Sequence, residues 1–439
     1  MSLPDIATSP GQTWPRLTSP PRLLATTGAT YQTSISDSHA RELPHQSHPP
    51  NHTPPPSLPP HLATESNLFK SAQWTPDGST ILTHSEDHGL RTFILPPTLL
   101  DPGEEPHRLT AYTTIFPAGA PVHSTCIHPS ATLGDPSSFV FLAGVKNAPL
   151  RLHSLLHPTL LSSYRYVCPD TEAYLPAYSL LIPPSQSNLF IAGGYSQLAI
   201  FDLHRSGDGP LRVLKTIPTK RTPATTTTMK GMITALALAP ETSVLAAGTY
   251  TRQIGLYADD GGGDCIGVFE LAKDGIAGKG VTGLRWGEEG RYLYVSERMS
   301  EVVQVFDIRG SGERVRVLRG RNAGSNARME VDVTAMGDAV AGGTDGMVRI
   351  WERSESEDPV GCWRAADDPI NTAAVHPSGV VMATCSGERK TFGLPIDDED
   401  DQAPQAMWDN TLKIWELTYP SPTKDIADSG ESEPPAPPS

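Results

Sequence analysis

The densest group of chemically useful side chains in this sequence is basic. Between Arg309 and Arg328 the chain carries six arginines and one acidic residue, Glu313. An arginine guanidinium binds phosphate oxygens through two parallel hydrogen bonds and stacks on nucleic-acid bases. This group therefore indicates a site for a phosphate-bearing polymer, and the alternative is an unrelated scatter of surface charge.

Sequence signals for catalysis are weak. The chain contains no GxSxG, HExxH or GxxxxGK[ST] motif. The nearest group of metal-ligand type is His123, Cys126 and His128, in a stretch with the pattern of a strand. Alternation places His123 on the opposite face from the other two, which disfavours a shared metal. We therefore expect no enzyme activity, no catalytic residue, no metal and no cofactor or small-molecule substrate.

The composition limits the partners. The formal net charge of the 439 residues is −15, and residues 352–439 contain 18 acidic and six basic side chains, a balance of −12. Binding of nucleic acid over the whole surface is thereby disfavoured, although a local basic site is compatible with it. No run of 18 apolar residues is present, so we expect no membrane span. Five widely spaced cysteines without a CxxC pair favour a reducing compartment, and the N-terminus lacks the features of a secretory signal.

A repeat supplies the elements that would position the arginines. Each copy has an alternating strand, a turn, a second strand of small apolar residues, a polar loop and a third strand ending in an aromatic residue. The copies lie at 71–93, 123–153, 178–202, 232–257, 281–307, 331–352 and 371–417. Their third strands end near Phe93, His153, Phe201, Tyr257, Phe306, Trp351 and Trp415, at a minimum spacing of 45 residues. A WD40 blade has about 40–45 residues, so the sequence predicts an all-β fold, a seven-bladed WD40 β-propeller.

Several repeat residues have a structural interpretation. Asp87, Asp345 and Asp409 precede third strands, where a short carboxylate accepts hydrogen bonds from nearby backbone amides and holds the turn. Trp351 and Trp415 are predicted to pack between blades rather than to stack on a ligand.

The same topology predicts where the arginines lie. In a propeller, the loops between second and third strands share a face with the loops that enter the next blade. The candidate residues for binding RNA or a partner occupy these two kinds of loop, so we expect them to converge on one rim: Arg252, Arg298, Arg319, Arg321, Arg328 and Arg389.

The ends of the chain differ from its centre. Residues 1–66 form a Pro/His-rich segment predicted to be mostly disordered, residues 67–417 the propeller, and residues 418–439 an acidic, Pro-rich disordered tail. Because no strand signal follows Leu417, the last blade lacks an outer strand, and the apolar segment 22–26 is the candidate to supply it. An insertion near 390–408 has five acidic residues at 397–401, and these are expected to compete with RNA phosphates for the arginines.

Particular stretches resemble a known family. The segment NLFKSAQWTPDGSTILTHSEDHGLRTFILPP is similar to the first blade of the telomerase Cajal body protein 1 family, WD40 proteins of small nuclear ribonucleoproteins. GTYTRQIGLYADDGG, VSERMSEVVQVFDIR and VHPSGVVMATCSGERKTF extend the likeness over most of 67–417. The resemblance implies binding to box H/ACA guide RNA or telomerase RNA, and Arg252, Arg298 and Arg328 match arginines of the family pattern. The N-terminal segment departs from the family's acidic one, and the proline-rich chain resembles fungal members, which are tied more to splicing.

These observations favour a nuclear, monomeric, non-catalytic scaffold that binds small nuclear or guide RNA and the proteins of its particle. The nuclear location, shared or not with the cytoplasm, is inferred from the resemblance alone. The sequence offers no independent import signal, because Lys220-Arg221 is too short to be one. One alternative is a protein-only WD40 scaffold, such as a signalling adaptor resembling a G-protein β subunit. A second is a propeller hydrolase, for which the sequence supplies no regular set of carboxylates.

Overall fold

The computed structural model describes residues 21–28, 67–103, 105–117, 120–217, 228–272, 275–310, 312–353, 356–388 and 409–417. These residues contain 29 strands, a few short 3₁₀ turns and no α-helix. The strands form seven sheets of at least four strands, antiparallel apart from one short parallel pair in the five-stranded sheet. The predicted seven-bladed β-propeller is therefore confirmed, while the predicted disorder of the two ends lies outside the described residues.

Each blade is one sheet. Its strands are consecutive along the chain in blades 2 to 6, whereas blade 1 omits β5, which belongs to blade 7. Blade 1 contains β2 (Phe69–Trp74), β3 (Thr80–Ser85), β4 (Leu90–Ile94) and β6 (Thr113–Ile115); blade 2 contains β7 (Val122–Ile127), β8 (Val140–Val145), β9 (Leu150–Ser154) and β10 (Leu160–Tyr164); blade 3 contains β11 (Ser179–Leu181), β12 (Leu189–Gly193), β13 (Gln197–Asp202) and β14 (Arg212–Lys215); blade 4 contains β15 (Ile233–Leu238), β16 (Leu245–Thr249), β17 (Gln253–Tyr257) and β18 (Cys265–Glu270). Blade 5 contains β19 (Val281–Trp286), β20 (Tyr292–Glu297), β21 (Val303–Asp307) and β22 (Glu313–Leu318); blade 6 contains β23 (Val331–Val333), β24 (Ala339–Gly342), β25 (Met347–Trp351) and β26 (Gly361–Arg364); blade 7 contains β27 (Ile370–Val375), β28 (Val381–Ser386) and β29 (Leu412–Glu416), with β1 (Arg22–Thr26) and β5 (His107–Arg108).

The beginning of the chain supplies the outer strand of blade 7. β1 pairs antiparallel with β29, with Leu23 opposite Trp415, and β5, which lies between β4 and β6 along the chain, adds a short parallel strand beyond it. Leu24 and Ala25 of β1 are buried between blade 7 and blade 1. The same segment therefore completes one sheet and contributes to the interface that closes the ring.

Apolar side chains fill the interface between every two neighbouring blades. Seven separate buried clusters correspond to the seven interfaces, including the one between blade 7 and blade 1. Aromatic residues are central to them: Phe190 of the second strand and Phe201 of the third strand of blade 3 stack with ring centroids 4.8 Å apart, and the third-strand Trp351 is fully buried between blades 5 and 6. Burial of this area is the main stabilising contribution to such a fold.

The topology determines which loops share a face. Because the four strands of a blade alternate in direction, the second-to-third strand loop and the segment entering the next blade emerge on one face, here named the entry face. The loops between first and second, and between third and fourth strands, emerge on the opposite face. First strands of consecutive blades lie side by side around the ring axis.

Candidate nucleic-acid interface

The candidate arginines occupy the predicted loops, although the structure gives them different surroundings. Arg252 and Arg298 lie in the second-to-third strand loops of blades 4 and 5. Arg319, Arg321 and Arg328 lie in the segment between β22 and β23 that enters blade 6. Arg389 lies outside the described residues. Among the five described arginines, Arg252 and Arg321 are directed into the fold and Arg319 is exposed but lies apart, whereas Arg298 and Arg328 come together.

Arg252 forms a largely buried ion pair between blades. Its guanidinium donates to both carboxylate oxygens of Glu297, at 2.7 and 3.1 Å, and to the carbonyl of Ile276 at 2.8 Å. Glu297 is buried and accepts a further hydrogen bond from Gln304 at 2.9 Å. These contacts connect the entry-face loops of blades 4 and 5, so the side chain stabilises the fold and has little capacity left for a ligand.

Arg321 is buried and does not reach solvent. Only 1% of the residue is exposed, and its guanidinium donates to the carbonyls of Gly342 at 3.2 Å and Met329 at 2.9 Å. Burial lowers the pKa of Arg321 to about 10, and the charge of Arg349 contributes to the decrease. Arg321 therefore supports the segment entering blade 6 and is removed from the surface predicted to bind RNA.

Arg319 lies apart from the other candidates, beside the loop that leaves the third strand of blade 6. It forms an ion pair with Glu357 at 2.8 Å, and its carbonyl accepts a hydrogen bond from the Trp351 indole at 2.9 Å. Its charge is thus partly neutralised within the chain.

Arg298 and Arg328 do come together near the ring axis. Arg328 donates to the carbonyls of Thr234 and Thr282, at 3.0 and 3.1 Å, in the first strands of blades 4 and 5, and pairs with Glu330 at 2.7 Å. Burial lowers the pKa of Arg298, and the positive charge of Arg328 lowers it further. Within the part of the chain that the structure describes, Arg298 has no acidic partner and donates to the carbonyl of Asn326.

Three tyrosines complete this site, and the sequence analysis missed them. Tyr195 and Tyr250 occupy equivalent second-to-third strand loops of blades 3 and 4 and flank Met232, since Tyr195 forms a β-bridge with it and the Tyr250 amide donates to its carbonyl at 2.9 Å. Both rings are exposed, Tyr195 by 57%. Their equivalent places in GGYSQ and GTYTRQ are the signal that identifies them.

Tyr178 lies beside this pair, immediately before the first strand of blade 3. Burial raises the pKa of Tyr178, and the nearby Tyr195 adds to the rise. Its ring lies 5.8 Å from that of His123 in blade 2, whose pKa is lowered by burial and by the charge of Lys146. The first strands surround a central channel along the ring axis, and all five residues lie where these strands begin, on the entry face. We therefore name Tyr178, Tyr195, Tyr250, Arg298 and Arg328 the channel-mouth cluster.

The repeat aspartates have a structural role that includes a basic partner. Each pairs with a cation four residues later on the third strand: Asp87 with Arg91 at 2.5 Å, Asp345 with Arg349 at 2.6 Å and Asp409 with Lys413 at 3.2 Å. Asp87 and Asp345 also accept backbone hydrogen bonds from Gly89 and Met347. The Trp415 indole donates to Thr384 at 2.8 Å inside the core.

The described residues offer little for metal chemistry. His128 contacts the carbonyl of Ser187 at 3.2 Å, while burial raises the pKa of Cys126 to about 11. No group of three or more His, Cys, Asp or Glu side chains in the described ranges could hold a metal ion. None of the helices found there is long and apolar enough to cross a membrane.

No family model matches the chain, but several curated proteins are similar to it over most of its length. It is 28% identical over 358 residues to guanine nucleotide-binding protein negative regulator 1 of Schizosaccharomyces pombe, covering 80% of this chain and 88% of that protein. It is 28% identical over 346 residues to human telomerase Cajal body protein 1, covering 76% of this chain and 59% of the human protein. Protein SWT21 of Kluyveromyces lactis is 22% identical over 337 residues, with 74% of each chain covered. These matches confirm the resemblance carried by the sequence motifs: the chain is similar to telomerase Cajal body protein 1 over about three quarters of its length.

Proposed function

We propose that this propeller is a non-catalytic scaffold that binds the RNA of a small nuclear ribonucleoprotein particle through the channel-mouth cluster. The supporting observation is the combination of exposed Tyr195 and Tyr250 rings with the guanidinium of Arg298 at the same end of the first strands. Aromatic rings stack on unpaired bases, and arginine binds phosphate or stacks on a base.

The arrangement favours an unpaired RNA loop over a duplex. Stacking requires bases that have left a helix, whereas a duplex presents phosphates and 2′-hydroxyls to a broad basic surface. Arg298 is the one arginine of the cluster without an acidic partner among the described residues, so the basic surface is small. In this proposal Tyr195 and Tyr250 stack on bases and Arg298 binds a backbone phosphate. Arg328 fixes the positions of the first strands of blades 4 and 5 through its hydrogen bonds to their carbonyls.

The relatives extend the proposal to the particle and its location. The human relative is named for telomerase and the Cajal body. We infer a nuclear location and protein partners from the same particle, which other loops of the propeller would contact. A particle that serves splicing and a particle that serves telomerase are the two alternatives.

A protein-only scaffold is the second candidate function. The observation that favours it is the extensive match to a protein named as a negative regulator of a guanine nucleotide-binding protein, of which the alignment covers 88%. In that case the exposed tyrosines would form the centre of a protein interface, where tyrosine is enriched.

Crosslinking followed by sequencing of bound RNA separates the two candidates. The tagged full chain is compared with a Tyr195→Ala, Tyr250→Ala double variant and with Tyr112→Ala as a matched control. Tyr112 is as exposed as Tyr195, at 57%, but lies in the third-to-fourth strand segment of blade 1, on the opposite face. RNA binding predicts enriched small RNAs that the double variant loses and the control retains, whereas a protein-only scaffold yields no enriched RNA.

A further inference from the structure

A second site lies on the side of the ring, away from the channel mouth. A cavity of about 450 Å³ opens between blade 5 and the loop that leaves the third strand of blade 6. We name it the side pocket; its walls include Tyr294, Val305, Val315, Arg316 and Arg353. The volume is within the range of about 300–1,000 Å³ that is usual for ligand sites.

The floor of the side pocket is apolar and fixed. Val305 is buried, and Tyr294 is buried with its hydroxyl donating to the carbonyl of Gly337 at 3.1 Å. Tyr292 forms another wall, with the Arg291 guanidinium 4.7 Å above its ring. Val315 of the outer strand is 46% exposed and forms the rim. The apolar surface that a ligand can reach is therefore formed by Tyr292 and Val315, above the buried Tyr294 and Val305.

The charge of the side pocket is concentrated on Arg316. Its terminal nitrogens donate to the carbonyls of Arg353 and Glu352, at 2.8 and 3.0 Å. Among the described residues it has no ion-pair partner, and its buried Nε has no hydrogen-bond partner.

The other charged groups around the side pocket are already paired. Glu357 is paired with Arg319 at 2.8 Å, and Arg353 with Glu289. The hydrogen bonds of Arg316 go to carbonyls and its charge acts on the Glu357 carboxylate only from a distance, so an incoming carboxylate would be its first directly bound anion.

We propose that the side pocket binds a short acidic and hydrophobic segment of a protein partner. A large apolar side chain packs against Tyr292 and Val315, and a neighbouring carboxylate pairs with Arg316. RNA fits this site less well, because the surrounding cations are engaged by carboxylates and the floor is aliphatic. The side pocket thus gives part of the arginine-rich segment a role in protein binding, separate from the channel mouth.

Peptide display on the full chain tests this proposal without a known partner. A library of random 12-residue peptides is selected on the immobilised protein, and the affinities of enriched peptides are measured by fluorescence anisotropy. The blocking variant is Val315→Trp, which fills the rim at an exposed position. Its matched control is Ile266→Trp, since Ile266 lies in the outer strand of blade 4 and is 57% exposed.

The proposal predicts enriched peptides in which Asp or Glu adjoins a large apolar residue. Val315→Trp should weaken their binding by about tenfold or more, the loss expected for an anchor residue in an interface, while Ile266→Trp leaves it unchanged. Replacing the acidic residue of the peptide by its amide should give a similar loss. A selection without enriched peptides, enriched peptides that lack acidic residues, or equal affinity for Val315→Trp and the unmodified chain would overturn the proposal.

Discussion

Replacing Arg252 by Met tests whether this arginine stabilises the fold or contacts RNA. The substitution retains much of the aliphatic stem but leaves the buried Glu297 carboxylate with the Gln304 amide as its remaining side-chain donor. Removing one partner of a buried ion pair costs about 3–5 kcal/mol, because the other charge stays uncompensated. The side chain of Glu297 is 1% exposed and that of Arg252 17%, so the lower end of this range applies. We expect a loss of about 3 kcal/mol and a decrease in Tm on the order of 5 °C.

The assay is a double-mutant cycle read by thermal and urea unfolding. Glu297→Gln removes the carboxylate, so the Arg252→Met, Glu297→Gln double variant should recover a large part of the lost stability. Arg205→Met is the matched control, since Arg205 and Asp208 form an exposed pair whose loss costs under about 1 kcal/mol. An unchanged Tm for Arg252→Met would refute the reasoning, as would a folded double variant with greatly reduced RNA affinity.

Three further predictions concern ring closure, pH and the acidic insertion. Leu24→Ala should lower the free energy of unfolding by about 3 kcal/mol in urea unfolding, because Leu24 is buried between blades 7 and 1. An effect below about 0.5 kcal/mol would contradict a role of Leu24 in closing the ring. Burial and the charge of Arg151 lower the pKa of His153 from 6.5 to about 4. The neutral ring therefore contributes up to about 3 kcal/mol of stability, which is complete above pH 6.5 and is lost as the pH falls towards 4. His153→Phe should remove this part of the pH dependence of the free energy of unfolding. Identical pH profiles for the variant and the unmodified chain would contradict this interpretation. Deleting 397–401 should tighten RNA binding at low salt in a filter-binding titration, and unchanged affinity would exclude competition by these acidic residues.

The seven blades could be predicted because their signal is local. Alternating strands, turns and third-strand aromatic residues recur within each 45–64-residue repeat, and burial of Phe93, Phe201 and Trp351 follows from that pattern. The pairing of 22–26 with the last blade followed from a missing strand rather than from any motif. Its register, with Leu23 opposite Trp415, depends on contacts that the sequence does not encode locally.

The candidate site was less predictable because its properties depend on distant partners. Arg252 and Glu297 are 45 positions apart, and Arg321 is buried by the carbonyls of Gly342 and Met329. Loop assignment therefore located the five described arginines along the chain without revealing which of them remain accessible. Tyr195 and Tyr250 were overlooked because single tyrosines in loops have no distinctive pattern until the fold brings them together at Met232.

RNA affinity of the channel-mouth variants tests the central proposal most directly. The RNA that co-purifies with the tagged chain is synthesised and titrated against the unmodified protein, Tyr195→Ala, Arg298→Gln and Tyr112→Ala at several salt concentrations. We predict a loss of about 1–3 kcal/mol for Tyr195→Ala from lost stacking. Arg298→Gln should reduce the slope of log affinity against log salt by about 1, and Tyr112→Ala should have no effect. Equal affinity and equal salt dependence for all four folded proteins would contradict RNA binding at the channel mouth.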